Sequence, residues 1–468
     1  MKKIFFYLFS FFVLCLIFNS CGNKKDDPIP SVIVNDTLSR YYDANKWILS
    51  QMGIYYYWTD KLPTNPTLSV EPEAFFESLL YKAEDRFSWI QNAAELQNSL
   101  NGINKSTGFE MKLYRIAEGS DKLIGQVLYV FPNTPASRAG IKRGDIFTMV
   151  NDQVITISNY EELLFGDNSS TQKIGFVTIS ENGFNYSKTV TIVTEEITEN
   201  PIMLDSVYTL GSKKIGYFAY KNFIPDPGNK TLVYDNKMIE IFGKFKSAGI
   251  NELVLDLRLN TGGAITSAVK LASLIVKGAT SNDILLREKY NTLLTNEIRS
   301  SEGDAAFYTK FSNQANNVGS LISKLVVLTS NHTASASELI INGLRPYMDV
   351  VLIGDITYGK NVGSITITDS KKKITWGLQP IIVKLFNKNN ESDYTKGFVP
   401  NYVDIDNHLD LFPFGDLREP LLRIAITKVY GIALDDIVPL KAKGQGFGNE
   451  VATSVSFKRN AYTTSMDK

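Results

Sequence analysis

Three short stretches of the chain carry groups that could act together on a carbonyl carbon. A glycine pair, Gly262-Gly263, follows a run typical of a buried strand, and glycine lets a backbone N–H face a ligand at close range. Ser335 stands where a strand ends and a helix begins, so its hydroxyl and the N–H of Ala336 lie at the positive end of that helix. Lys360 follows another strand, in a tight turn. Taken singly, these groups also fit a loop glycine pair, a helix N-cap and an exposed lysine.

In combination, the three stretches resemble the tail-specific, or C-terminal processing, serine peptidases. The shared strings are Leu-Asp-Leu-Arg-x-Asn-x-Gly-Gly at 255–263, Thr-Ala-Ser-Ala-Ser-Glu at 333–338 and Thr-Tyr-Gly-Lys at 357–360, in the order of that family. The lysine lies 25 residues after the serine, which is the family's spacing. Together with Gly-Phe-Val-Pro at 397–400 and Asp-Arg-Phe-Ser-Trp at 85–89, the resemblance extends from Trp47 to Tyr430.

The resemblance implies a serine–lysine dyad. Ser335 would be the nucleophile and Lys360 its base. A lysine acts as a base only as the neutral amine, which burial away from water favours. The oxyanion hole would consist of the N–H of Ala336 together with that of Gly262 or Gly263.

The chain departs from the family at one position near the lysine. Many members have a glutamine four residues after the lysine that holds the amine in place, whereas this chain has Ser364 there. A serine is shorter, so a water or Asn361 would have to support the amine. Ser337 and Glu338 are interpreted as structural, because Ser337 faces away from Ser335 on a helix and an acidic residue suits a first helical turn.

The histidine count limits the other possible base. The chain has two histidines, and a Ser-His-Asp mechanism requires one of them. His408 lies far beyond these motifs, but His332 lies three residues before Ser335 and stays open as an alternative base. No cluster of histidines and carboxylates indicates a metal, and no cofactor is expected. The 49 basic and 49 acidic residues leave no net charge that would favour nucleic acid.

A second resemblance precedes the α/β region. Residues 132–146 contain the Pro-Ala-x-x-Ala-Gly and Gly-Asp elements of a PDZ domain. Gly108 and Phe109 resemble the loop that holds a ligand's C-terminal carboxylate with converging backbone N–H groups. A peptide would then add as a strand beside Glu110–Leu113. The alternative for this site is a hairpin glycine followed by a core phenylalanine.

The N-terminus is interpreted as an export signal. Lys2 and Lys3 precede an apolar run over 4–18 that is too short to span a bilayer comfortably. A small residue before Cys21 resembles a bacterial lipoprotein cleavage site, in which the cysteine is lipidated; an ordinary secretory signal is the alternative. The Lys-Asp-Asp run at 25–27 resembles the surface-export signal of Bacteroidetes lipoproteins, or a plain polar tether. We expect a lipid anchor in the outer membrane, with the periplasmic or surface orientation left open.

Apolar periodicity divides the chain into regions. Aromatic helical patterns from Tyr41 to Trp58 and from Pro72 to Ala83 predict a small N-terminal helical region, and short runs of period two predict a mostly-β unit after it. Alternating strands and helices then predict an α/β catalytic core of the crotonase-like type, with the PDZ domain inserted or preceding. The predicted ranges are 1–20 signal peptide, 21–37 tether, 38–98 helical region, 99–198 PDZ domain, 199–440 catalytic domain and 441–468 a frayed tail.

These resemblances imply a lipid-anchored serine endopeptidase. It would cut envelope or extracellular proteins near unstructured C-terminal tails through an acyl-enzyme. A non-catalytic, PDZ-bearing binding protein on the same scaffold is an alternative, but it would not need both Ser335 and Lys360. A crotonase-type acyl-CoA enzyme shares the α/β core and leaves the PDZ-like segment unexplained.

Overall fold

A computed structural model describes residues 36–166, 170–180, 183–405, 411–434 and 448–455. The predicted signal peptide, Cys21, nearly all of the predicted tether and His408 lie outside these residues. Within the described ranges, no helix is both long enough and apolar enough to cross a membrane.

The sequence predicted a helical N-terminal region, but the region also contains a β-strand. Its elements are α1 Asp36–Tyr55, α2 Pro72–Ser78, β1 Trp89–Asn92 and α3 Ala93–Leu100. Strand β1 pairs antiparallel with a strand of the α/β domain, Trp89 opposite Gln379. Tyr56 and Phe75 are fully buried in an apolar cluster that also contains Ile381 of the α/β domain. The region therefore packs onto the catalytic core and shares a sheet with it.

The PDZ unit is inserted between the N-terminal region and the α/β domain. Its elements are β2 Ile103–Ser106, β3 Phe109–Arg115, β4 Leu123–Val130, α4 Pro135–Arg138, β5 Ile146–Val150, β6 Gln153–Val154, α5 Tyr160–Phe165, β7 Thr171–Ser180, β8 Gly183–Val193 and β9 Glu195–Thr198. Strands β2 and β9 pair antiparallel where the chain enters and leaves the unit. The unit has its own apolar core, around Phe109, Phe147 and Leu163.

The α/β domain has three layers, which confirms the predicted core. Its elements are β10 Ile202–Leu210, β11 Lys213–Tyr220, α6 Val233–Ala248, β12 Glu252–Asp256, α7 Ile265–Ile275, β13 Ile284–Tyr290, α8 Thr292–Glu302, β14 Tyr308–Lys310, β15 Leu325–Thr329, α9 Ala336–Leu344, β16 Val350–Gly354, β17 Val362–Ser364, β18 Ile367–Thr368, β19 Trp376–Gln379, β20 Ile381–Phe386, β21 Tyr402–Val403 and α10 Pro420–Ile424. The central sheet has the order β10-β11-β12-β15-β16-β21 and is parallel apart from the β10–β11 pair. Helices α6, α7 and α9 cover one face and α10 the other, so the strands read as continuous apolar runs.

The order of this sheet brings the three predicted stretches together. Strands β12, β15 and β16 are direct neighbours and run parallel, so the loops after their carboxyl ends lie at one edge of the sheet. Those loops carry the glycine pair, Ser335 and Lys360. On its far side the lysine turn runs into β17, which pairs with β20 of a smaller antiparallel sheet. Residues distant in the sequence are thereby placed around one cleft.

The charged residues of the first motif are structural. Arg258 is 1% exposed, and its guanidinium pairs with Asp256 at 2.9 Å and with both carboxylate oxygens of Glu419. The Tyr217 hydroxyl donates to the same Asp256 at 2.6 Å. A buried ion cluster of this kind needs all its partners, because a missing one leaves an uncompensated charge. It fixes the start of the glycine loop against α10.

Part of the predicted frayed tail is an ordered strand. Within 441–468, Glu450–Thr453 forms β22, which pairs antiparallel with β3 at the edge of the PDZ sheet. The composition of the segment suggested fraying. The strand was missed because its partner, β3, lies far earlier in the chain, so the pairing leaves no local sequence pattern.

Candidate active site

Ser335 lies at the N-cap position of α9 in a strained backbone conformation. Its φ is 55° and its ψ is −114°, a region that residues other than glycine rarely occupy. Such a conformation costs on the order of 1–3 kcal/mol and persists only where the surroundings impose it. Here the Ser335 N–H donates to Oε2 of Glu338 at 3.0 Å. The sharp turn directs the half-buried serine into the cleft, where it lines the cavity described below.

The glycine pair lies directly against the serine. A Cβ added to Gly262 would lie 2.7 Å from the Ser335 Cβ, and one added to Gly263 would lie 2.4 Å from the Phe223 carbonyl oxygen. Both glycines also have positive φ, 105° and 134°. The Gly262 N–H already donates to Oδ1 of Asn260 at 2.8 Å. Of the two glycines that the sequence left open, Gly263 is therefore the better partner for the Ala336 N–H in an oxyanion hole.

Asn260 joins the glycine loop to the serine loop. Its side chain is fully buried and also donates to the Tyr220 carbonyl at 2.9 Å. Its own carbonyl accepts from the Ala334 N–H at 3.1 Å and from the Ser337 hydroxyl at 3.2 Å. Ser337 is thus engaged in holding the two loops together, away from the cavity.

One carboxylate connects the serine to the lysine turn. Glu338 has no exposed surface, and its Oε2 accepts from both the Ser335 N–H at 3.0 Å and the Lys360 N–H at 2.8 Å. Its Oε1 accepts from the Thr357 hydroxyl and from the Gly359 N–H, both at 2.6 Å. Burial raises the pKa of Glu338, and the four hydrogen bonds oppose that rise. The sequence indicated a structural role for this residue but did not indicate its link to the lysine turn.

The N-terminal region supplies the outer wall of the lysine site. The Lys360 Nζ lies 5.4 Å from the ring centroid of Phe87 and 5.8 Å from that of Trp89. Arg86 stacks on the Tyr358 ring and donates to the Tyr358 carbonyl at 2.9 Å. The Asp-Arg-Phe-Ser-Trp run therefore holds the turn and shields its lysine, a role that the sequence pattern did not predict.

The predicted support for the amine is only partly where it was expected. The Asn361 amide donates to the carbonyl and hydroxyl of Ser392, at 2.8 and 3.0 Å, so it is engaged away from the lysine. Ser364 lines the cleft, and its hydroxyl accepts from Nε2 of Gln379 at 3.0 Å. Oε1 of that glutamine accepts from the Thr366 hydroxyl at 2.8 Å. A glutamine side chain thus lies beside the expected position but comes from a different strand, β19.

Ser335 and Lys360 both line one cavity of about 610 Å³. Polar groups of the site that line it are Gly262, Gly263, Ser335, Ala336, Lys360, Ser364 and Gln379. His332 is 1% exposed, donates its backbone N–H to the Ser330 hydroxyl and is not among the lining residues. Among the described residues, no group of three or more histidine, cysteine or acidic side chains could hold a metal ion. The arrangement offers a serine, a lysine and nearby N–H donors to a substrate carbonyl.

The predicted peptide-binding residues of the PDZ unit are not open to solvent. Gly108 has a φ of 92°, and its N–H donates to the Ser106 hydroxyl at 3.1 Å. Phe109 is a core residue, and Glu110 is fully buried with its carboxylate 3.3 Å from the Lys221 ammonium. Strand β22 occupies the edge at which a peptide was expected. The alternative of a hairpin glycine with a core phenylalanine describes the local contacts of the first two residues.

Comparison with known proteins gives matches along most of the chain. Peptidase family S41 matches residues 214–403, the Peptidase S41 N-terminal domain matches 43–89, and a PDZ domain matches 126–171. The chloroplastic C-terminal processing peptidase of Tetradesmus obliquus is 24% identical over 289 residues, 59% of this chain and 56% of that protein. A probable CtpA-like serine protease of Staphylococcus haemolyticus is 26% identical over 309 residues, 63% of this chain and 52% of that protein.

Each of these matches spans about half the length of the curated relative. A crystal structure from Bacteroides fragilis, described as that of a candidate S41 protease, superposes with a TM-score of 0.70 at 27% sequence identity. That superposition covers 88% of this chain and 100% of the other. The catalytic, N-terminal and PDZ matches occur in one chain and in the order that the sequence predicted. The chain belongs to peptidase family S41.

Proposed function

We propose that this protein is a serine endopeptidase that hydrolyses peptide bonds through an acyl-enzyme, with Ser335 as nucleophile and Lys360 as base. The observation that carries the proposal is the Glu338 carboxylate, whose Oε2 accepts from the backbone N–H of both residues. This bond pair sets the strained serine and the lysine turn at a fixed separation on one cavity wall. The Ser335 bond alone is part of the capping box of α9, but the Lys360 bond to the same oxygen lies outside that motif and ties the lysine turn to the serine.

The reaction follows from these positions. The Ser335 hydroxyl attacks the scissile carbonyl carbon as its proton passes to the neutral Lys360 amine. The N–H groups of Gly263 and Ala336 stabilise the oxyanion, each by about 3 kcal/mol. The lysine then gives its proton to the departing amine, which leaves an ester on the serine. A water attacks this ester with the lysine again as base, and the acid product and free serine are released.

Two opposing effects act on the base. The Phe87 and Trp89 rings cover one side of the half-buried Lys360 side chain, and an apolar neighbour in place of water disfavours its charged form. Their π faces attract a cation at this range, which favours the charged form. The pH profile of kcat/KM measures the balance of the two effects, because activity rises with the fraction of neutral amine.

The substrate class rests on the relatives and the cavity. Several relatives are named C-terminal processing peptidases, which supports proteins with accessible C-terminal tails as substrates. A cavity of about 610 Å³ that is lined by Ser335 and Lys360 and also by Glu110 of the PDZ unit has room for a peptide segment. The lipoprotein-like cysteine supports a bacterial envelope location, anchored in the outer membrane through Cys21.

The dyad is tested by substitution. Ser335→Ala should abolish both peptide hydrolysis and labelling by a fluorophosphonate. Lys360→Ala and Lys360→Arg should each lower kcat/KM by about 10²–10⁴, because neither offers a usable base near neutral pH. Lys371→Ala, at an exposed turn, is the matched control and should be fully active.

The alternative base is tested alongside. His332→Ala should keep most of its activity once the folded fraction is taken into account, since the imidazole does not line the cavity. Loss of activity in folded His332→Ala together with a fully active Lys360→Ala would overturn the dyad. Absence of labelling in the folded wild type would instead favour a non-catalytic binding protein.

A further inference from the structure

The chain supplies its own strand to the PDZ edge. Strand β22 pairs antiparallel with β3, with Glu450 opposite Tyr114 and Thr453 opposite Lys112. Backbone hydrogen bonds extend the pairing, from the Arg115 N–H to the carbonyl at position 449 at 3.0 Å and from the N–H at 448 to the Arg115 carbonyl at 3.1 Å. Residues 448–455, called here the C-terminal segment, therefore occupy the free edge of this sheet.

The segment lies as an added peptide would. Antiparallel pairing with β3 directs its C-terminal end toward Gly108, the loop at which a ligand's terminus was expected. Val451 and Ala452 pack against the apolar cluster that contains Leu163 and Leu164 of α5. The segment thus covers the edge of β3 and packs on the apolar core of the PDZ unit, in the extended form that a peptide added to such an edge adopts. This edge and the apolar cluster beside it are called here the PDZ groove.

Polar contacts fasten its far end. The Ser454 hydroxyl bonds to the Glu110 carboxylate and accepts from the Met111 N–H at 2.9 Å. Glu110 in turn lies 3.3 Å from the Lys221 ammonium, which also binds Glu199 at 3.0 Å. Because Lys221 belongs to the α/β domain, this buried group of charges couples occupancy of the PDZ edge to the catalytic core.

The segment reaches the catalytic cavity. Val455 is 4% exposed and lines the same cavity as Ser335 and Lys360. Glu110 and Lys221 line it too, so the groove opens into the cleft. An extended peptide bound along β3 would pass the same wall on its way to the serine.

We propose that the C-terminal segment is a tethered ligand of the PDZ groove and competes with external peptides for it. Because the segment belongs to the same chain as the groove, its binding is intramolecular, and it competes at a high effective concentration. An external peptide binds only after displacing the segment. Its apparent association constant is therefore the intrinsic one multiplied by the fraction of chains in which the groove is open. This inference rests on the proposed function only in taking the displacing peptide to be the substrate.

Binding can be measured without catalysis, in a Ser335→Ala background. The probe is a fluorescent synthetic peptide with the sequence of residues 448–455, and a scrambled peptide is its control. Glu450→Lys loosens the segment, because it replaces the 3.1 Å contact with Lys112 by a repulsion. Glu118→Lys is the matched charge reversal at an exposed position in the same domain.

The segment can also be locked in place. Thr453 and Lys112 are opposite each other, so cysteines at both positions lie at a separation near that of a disulfide. We expect Glu450→Lys to bind the probe at least tenfold more tightly than the parent or Glu118→Lys. The oxidised double-cysteine variant should not bind it, and the reduced form should regain the affinity of the parent.

Two results would overturn the inference. Equal binding to the oxidised and reduced double-cysteine variant would place the peptide site elsewhere. If the probe peptide does not bind to Glu450→Lys and the thermal melting curve is unchanged, β22 is a permanent strand of the sheet and not a displaceable ligand. Neither result depends on whether Ser335 is a nucleophile, so failure of this inference is separable from failure of the dyad.

Discussion

Replacing Glu338 with glutamine tests whether one carboxylate sets the distance between nucleophile and base. The side chain keeps its volume, but one oxygen becomes an NH₂ group. Each oxygen accepts two hydrogen bonds, so the new amide must face two former donors in either orientation. The less costly orientation puts the NH₂ toward the Thr357 hydroxyl, which can turn and accept. The Gly359 N–H is then buried without an acceptor.

The expected cost follows from these contacts. An orphaned buried N–H costs about 1–3 kcal/mol, and the remaining bonds lose the charge on their acceptor, about 1 kcal/mol each. Relief from burying a carboxylate offsets part of this, so we expect a net loss of about 2–4 kcal/mol. That is tolerable for a domain of ordinary stability, about 5–15 kcal/mol. A shift of the turn by a fraction of an ångström should lower kcat by about 10–100-fold.

The assay separates positioning from stability. Glu338 does not line the cavity, so KM should stay within a factor of about three while kcat falls. Active-site titration with a fluorophosphonate corrects for any unfolded fraction, and Glu240→Gln, at an exposed position of α6, is the control. A folded Glu338→Gln enzyme with the kcat of the wild type would refute the argument that this carboxylate aligns the dyad.

The pH dependence of stability offers a second readout of the same substitution. Burial raises the pKa of Glu338 above its ordinary value of 4.5, so the folded chain binds this proton more tightly than the unfolded chain. The stability that it contributes is present below the ordinary value and is lost as the pH rises through the folded value. The free energy of unfolding of wild type minus that of Glu338→Gln should therefore decrease as the pH is raised through that window. Urea unfolding at several pH values measures it, and a flat difference would contradict the shift.

Two further predictions concern the other end of the site and the anchor. Gln379→Ala should lower kcat by about tenfold, because it removes the amide beside Ser364, and adding Ser364→Gln should restore most of it; a fully active single variant would show that this amide does not support the base. Cys21→Ala should shift the protein from the membrane fraction to the soluble fraction or leave it unprocessed; a wild-type mature protein found wholly in the soluble fraction would contradict the lipid anchor.

The sequence predicted those features that depend on local pattern. The βαβ rhythm around 253–354 is local and predicted the α/β core. The pairing of Ser335 with Lys360 was implied by the resemblance to the tail-specific peptidases, and the parallel neighbours β12, β15 and β16 place the loops of both residues at one edge. The glycine pair could be anticipated for the same reason. Which of the two glycines has an N–H available for an oxyanion could not be predicted. The Gly262 N–H donates to the Asn260 side chain, and the spacing of residues does not reveal a side-chain rotamer.

The features that were missed depend on contacts between distant parts of the chain. Strand β22 pairs with β3, and β1 pairs with β19, across hundreds of residues, so neither pairing has a signature in either strand alone. Gln379 fills the place near Ser364 from another strand, which a comparison position by position along the motif cannot detect. Asn361, adjacent to the lysine in sequence, is turned away by its bonds to Ser392.

The lysine turn is held from three sides, one of them by the N-terminal region. Glu338 binds its backbone from beneath, and β17 ties its far end to the smaller sheet. Arg86 binds the Tyr358 carbonyl from the N-terminal region, while neighbouring rings shield the amine. A turn fixed on two sides could still swing toward solvent, where a lysine stays charged and cannot accept a proton. The N-terminal region supplies the third contact and the apolar wall, so the base role proposed for Lys360 would depend on a part of the chain that contributes no reacting group.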